Sequence, residues 1–98
     1  MPTYISLLKW TDRGLRDVRE SPQRVDAAKR AFNAAGGSMT GFYLVLGEYD
    51  LVNIGEFAND EAYTSAILQV ASRGNVRPTS LKVFTEEEYL RIIASMAP

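Results

Sequence analysis

Cysteine and histidine are both absent from the 98 residues. Without cysteine there is no disulfide framework, no thiolate nucleophile and no thiolate metal site. Without histidine the chain lacks the commonest general base, the commonest metal ligand and the usual proximal haem ligand. Any reaction would have to run on Asp, Glu, Tyr, Lys, Ser or Thr, or on a bound cofactor. An excess of one charge is missing too: 11 Lys and Arg stand against 12 Asp and Glu, for a net charge of −1. Nucleic-acid binding needs a basic excess on one face, so no nucleic-acid partner is expected. No apolar run approaches the ~20 residues that span a bilayer. The start, Met1-Pro2-Thr3-Tyr4-Ile5, has no basic stretch leading into an apolar one. The expectation is a cytoplasmic protein with no membrane partner. Walker A loop, dinucleotide fingerprint, metalloprotease helix and EF-hand loop are all missing, and neither a cofactor nor a metal is expected.

What is present fits one domain, residues 1–98, with 46% apolar and 23% charged residues. A domain of this size buries only about two-thirds of the surface its unfolded chain exposes, so a partner surface would help it.

Residues 3–10 (TYISLLKW) read as a strand, and Thr11-Asp12-Arg13-Gly14 as a turn before a short helical segment at 15–20. Ser21 is a good cap and Pro22 suits a first helical position. Val25, Ala28, Phe32 and Ala35 then recur at helical spacing up to Gly36-Gly37. Residues 38–46 and 51–57 read as two strands of an antiparallel hairpin joined tightly by Gly47-Glu48-Tyr49-Asp50. Asn59 caps a second helix striped by Tyr63, Ala66, Ile67, Val70 and Ala71, closed by Gly74. Residues 75–84 make a fourth strand, which Pro78 places at an edge. Thr85 to Glu88 forms a capping box for a last helix striped by Tyr89, Ile92, Ile93 and Met96. The order β-α-β-β-α-β-α predicts an α+β fold. It is the ferredoxin-like βαββαβ arrangement, a four-stranded antiparallel sheet with an extra C-terminal helix.

Both faces of that sheet carry bulky apolar groups. Phe42, Leu44 and Leu46 alternate against Met39, Tyr43 and Val45, and Ile5 and Leu7 against Tyr4, Leu8 and Trp10. Two helices cover one face only, and an exposed apolar sheet exceeds what monomers usually tolerate. A second copy is the economical cover, so a homo-oligomer, a dimer or a multiple of dimers, is expected. The alternative is a monomer whose last helix folds back over that face.

Four motifs carry a family resemblance. They are Lys9 to Gly14, Gly41-Phe42-Tyr43 with Gly47 to Val52, Gly74 to Thr79, and Phe84 to Tyr89. With these the chain resembles the GYD domain family over nearly its whole length. The resemblance implies a dimeric alpha-beta barrel of ferredoxin-like protomers, found in bacteria. It implies no reaction. The hairpin also looks like the Gly-x-x-Asp hairpin of the effector-binding domains of leucine-responsive transcription regulators, whose DNA-binding helix-turn-helix this chain lacks. Fold alone does not give function.

The candidate ligand-binding residues are Trp10, Tyr43, Glu48, Tyr49, Asp50 and Arg77. Glu48 and Asp50 could present two carboxylates at the hairpin, or Asp50 could simply pin the turn. Trp10, Tyr4, Tyr43 and Phe57 form an aromatic set that suits a pocket or a core. Arg73, Asn75 and Arg77, with Lys9 and Arg13, could attract a carboxylate or phosphate, or form an ordinary solvated loop. The leading expectation is a non-catalytic homo-oligomeric module that binds or senses a small molecule. Its alternatives are a small cofactor-free enzyme of oxygenase or isomerase type and a purely structural subunit.

Overall fold

Thr3–Trp10 forms β1, and its alternation decides the fold: Tyr4, Ser6 and Leu8 are buried, while Ile5 and Leu7 between them are half-buried. A computed structural model describes residues 1–98. After β1, the Thr11 hydroxyl accepts the Gly14 N–H at 3.1 Å and starts α1, Asp12–Arg16. The short helix thus begins earlier than the expected 15–20 segment, because the cap sits at Thr11. A single 3₁₀ turn, Val18–Glu20, runs directly into α2, Ser21–Ala34. Ser21 lies inside α2 and is not its cap; Glu20 holds that position without a side-chain bond. Then follow β2 (Ser38–Leu44), β3 (Leu51–Glu56), α3 (Asp60–Ser72), β4 (Val76–Val83) and α4 (Glu86–Ala94). Asn59 caps α3, and Thr85 with Glu88 completes the capping box of α4, both as the sequence predicts.

The sheet is antiparallel throughout with strand order β2-β3-β1-β4, the ferredoxin-like order. β4 is an edge strand, where Pro78 withholds no ladder hydrogen bond that the sheet needs. Helices α2 and α3 cover the face that carries Tyr4, Ser6, Leu8 and Trp10. Tyr4, Phe32, Phe57, Tyr63, Ala66 and Ile67 form the core there. Tyr4 and Tyr63 stack at 4.4 Å between ring centroids, and Phe57 meets both edge-on. Such pairs add about 0.5–1.5 kcal/mol each beyond their burial.

Two expectations change. The β2 strand ends at Leu44, and the hairpin connection is the longer 45–50 loop, closed by the Val45 N–H donating to the Asp50 carbonyl at 2.8 Å. The strand also slips between Met39 and Gly41. This bulge turns Met39 to the helix side, where it packs on the core, so Met39 shares a face with Phe42 and not with Tyr43.

The second face stays open. Ile5, Leu7, Val52 and Ile54 are half-buried on it, and Tyr43 and Leu81 are exposed. The α4 helix does not fold back over them: it buries none of its residues, and Tyr89, Ile92, Ile93 and Met96 all face solvent. The outline is correspondingly long, 54 × 30 × 17 Å, with a radius of gyration of 15.0 Å. A compact chain of this length would have about 13 Å.

Candidate functional site

One end of the sheet gathers three of the four sequence motifs around Trp10. The Trp10 N–H donates to the Asp50 carboxylate at 2.9 Å, and the Asp50 N–H donates to the Leu8 carbonyl at 2.9 Å. The next residue, Thr11, donates through its N–H to the Asn75 carbonyl at 3.0 Å and through its hydroxyl to the Gly74 carbonyl at 2.7 Å. Gly14 lies so close to this turn that a Cβ there would meet the Asn75 carbonyl oxygen at 2.1 Å. Arg24 of α2 then ties the corner down, donating to the Gly14 carbonyl at 2.9 Å and the Asp17 carbonyl at 3.2 Å. Gly74, at φ 79, makes the left-handed turn that brings Asn75 back to Thr11.

Behind this corner, between the sheet and helices α2 and α3, lies a small recess with a cavity volume of about 50 Å³. Its walls are mainly apolar, from Leu8, Trp10, Val25, Phe42, Val70 and Val76. Arg24 and Arg73 also line it, and no acidic side chain does. Asn53, on β3, lines it too. Only 3% of Asn53 is exposed, and its side-chain oxygen has no hydrogen-bond partner. Its cross-strand neighbour Ser6 is equally buried but satisfied: Ser6 bonds the Tyr63 hydroxyl at 2.8 Å, and Tyr63 donates on to Ser80 at 2.7 Å. A shallower groove continues past Trp10 and Phe42 to Val18, Pro22 and Leu44.

The sheet separates the sequence candidates. Trp10, Arg73 and Asn75 line the recess. Tyr43 is on the open face, 58% exposed and paired with Val52. Arg77 is opposite Lys9 on that same open face, so the sheet stands between it and Arg73 and Asn75. Glu48 is exposed in the 45–50 loop; Tyr49 lies under the Lys9 ammonium, 5.4 Å from its ring centre; Asp50 holds the end of β1. None of these three lines the recess or the groove. Of the aromatic set, Tyr4 and Phe57 belong to the core.

Sequence reasoning missed Asn53 and Arg24. A signal for Asn53 existed: it is the one polar side chain on the inward-facing positions of an otherwise apolar strand, between Leu51 and Gly55. Arg24 gave none, because a helical arginine is ordinarily a solvated one.

Elsewhere the chemistry is structural. Burial first, and then the Asp60 carboxylate that accepts its hydrogen bond, push the Tyr4 hydroxyl up to about 12. Glu88 is held below the usual carboxylate range by the Thr85 N–H it accepts. No three acidic side chains converge as a metal site, and no helix is long and apolar enough to cross a membrane.

A curated protein of Thermus thermophilus named "Glutamine synthetase and cystathionine beta-lyase binding protein" is 34% identical over 83 residues, covering 84% of this chain and 87% of that one. The crystal structure of TTHA0845 from the same organism superposes with a TM-score of 0.57 at 24% identity, over 87% of this chain and 95% of that chain, and supports the fold. The profile of the GYD domain matches residues 4–93. The match spans the recess, the Asp50 corner and the open sheet face, and the chain belongs to the GYD domain family.

Proposed function

We propose that this protein is a non-catalytic, homo-oligomeric module that takes a small molecule in the recess beside Trp10. The observation that carries the reading is the apolar recess itself, walled by Leu8, Trp10, Val25, Phe42 and Val70, lined by Arg24 and Arg73 but by no acidic side chain, and adjoined by the groove along Val18, Pro22 and Leu44. Self-association is supported by the open sheet face, whose apolar groups neither α4 nor any other element covers. Catalysis finds little support, because Glu48, Tyr49 and Asp50 stand apart from the recess.

Two measurements test this reading. Ile54→Glu places a charge in the centre of the open face. It should lower the oligomer to a folded monomer, read by light scattering and circular dichroism. A wild-type protein that is already monomeric sinks the self-association half. A metabolite screen read by melting temperature tests the binding half, with a flat result counting against it.

A second reading has its own support. The relative's name describes binding to two enzymes, and the exposed stripe of α4 is the kind of surface such binding uses. Under that reading purified glutamine synthetase would co-elute with this protein, and Ile92→Glu together with Ile93→Glu would abolish the complex.

A further inference from the structure

We infer that α4 is an arm that packs on the open sheet face of a second copy, its acidic first turn over Lys9 and Arg77 of that copy; the inference rests on the self-association half of the reading above. Three observations specify the occupant. First, α4 does not stand on its own. It is nine residues long and buries none of them. Every side-chain hydrogen bond and ion pair it makes stays within residues 85–95. A lone helix shorter than about 12–15 residues is marginal in water. Its stripe of Tyr89, Ile92, Ile93 and Met96 is the face that a partner would cover.

Second, its own sheet is out of reach. Only Phe84 and Thr85 separate β4 from α4. Both bonds of the capping box between Thr85 and Glu88 are made, at 2.9 and 3.2 Å, so the helix leaves the sheet in a fixed direction. The 54 Å length of the molecule is about twice that of the eight-residue β4, which leaves α4 beyond the sheet.

Third, the charges of the open face are segregated along the strands. Lys9 and Arg77 are direct cross-strand neighbours at one end. Like charges so placed repel, and neither has an ion-pair partner; Lys9 lies only over the Tyr49 ring. At the other end stand Glu56, opposite Thr3, and then Glu86, Glu87 and Glu88 of α4. The length of β4, roughly 25 Å, keeps these acids from Lys9 and Arg77 of the same chain. A two-fold axis across the strands removes that separation. It lays the basic end of each copy against the acidic end of the other and makes every contact twice. The apolar groups next to Lys9 on that face, Leu7, Val52 and Tyr43, are then the surface under the α4 stripe.

The test is charge exchange, read by light scattering over a dilution series, with circular dichroism to confirm folding. Lys9→Glu with Arg77→Glu sets acid against acid at both contacts. Glu86→Lys with Glu87→Lys sets base against base. Each pair alone is expected to weaken the dimer about tenfold or more, and an equal mixture of the two variants should return to within about threefold of wild type, because every contact in the mixed dimer again has opposite signs. Hydrogen exchange is the second readout: the α4 amides from Tyr89 to Ile93 should be protected in the wild-type dimer and unprotected in either variant alone. A monomeric wild-type protein overturns the self-association reading and the arm with it. A wild-type dimer that neither charge change weakens, or a mixture that stays monomeric, overturns the arm and leaves self-association standing. So does an Ile92→Glu, Ile93→Glu variant that remains a full-strength dimer yet loses glutamine synthetase, since α4 then serves that enzyme.

Discussion

Asp50 accepts the main-chain N–H of Trp10 at 2.9 Å, and so it holds the last residue of β1 after the β1–β3 ladder has stopped at Leu8 and Leu51. The same residue closes the hairpin loop through its carbonyl and bonds Leu8 through its N–H. The aspartate of the Gly-Glu-Tyr-Asp segment is therefore a strap between loop and sheet, and the side chain it positions is a wall of the recess.

Removing that strap should loosen Trp10. Asp50→Ala is expected to cost about 1–3 kcal/mol in urea unfolding, because a part-buried N–H loses a charged acceptor. Asp50→Asn keeps an acceptor and should lose less. Hydrogen exchange at the Trp10 amide checks the mechanism: it accelerates in Asp50→Ala more than at Ser6. An unchanged Trp10 amide would show that the bond does not matter.

Most of the fold was legible in the sequence because its signals are local. Caps at Asn59 and Thr85, the stripe Tyr63-Ala66-Ile67-Val70 and the edge position of Pro78 each follow from one element's own residues. The doubly apolar sheet was legible for the same reason. What escaped the sequence depends on pairing between elements. The bulge beside Met39 appears only when β2 is laid on β3, and the strap of Asp50 joins residues 40 positions apart. The recess needs six elements at once, so the sequence candidates are split: Trp10, Arg73 and Asn75 fall within it, and Tyr43, Glu48, Tyr49, Asp50 and Arg77 do not. The departure of α4 from the sheet was open for another reason: an amphipathic helix declares that it needs a partner but not which one.

Gly14→Ala should be among the most damaging single-methyl changes. The added carbon would lie 2.1 Å from the Asn75 carbonyl oxygen, backbone against backbone, with no flexible side chain to give way. A loss of about 2 kcal/mol or more is expected in thermal or urea unfolding. Gly36→Ala offers a contrast, since no atom lies within 4 Å of its Cβ and only its φ of 81 opposes the change.

Asn53→Leu should raise stability. The amide oxygen has no partner, so replacing it with an apolar group of similar shape removes a desolvation cost of about 1–3 kcal/mol, less whatever the extra volume needs. The recess beside it has room for a methyl group. A higher melting temperature is the expected result. A lower melting temperature would mean that Asn53 is satisfied in solution.

Alkaline unfolding should report on Tyr4. Burial and Asp60 raise its hydroxyl from 10.0 to about 12. The folded state then holds the proton more tightly than the unfolded chain. This contribution is intact below pH 10.0 and is lost as pH rises toward about 12. Urea midpoints measured across that window should fall with pH in the wild type, and less steeply in Tyr4→Phe, which has no proton there to lose.

The most direct test of the whole account is native mass spectrometry of the freshly purified intact protein. A dimer, or a multiple of dimers, that carries added small-molecule mass released on gentle activation is the predicted result. A monomer, or an oligomer that carries no added mass, would contradict it.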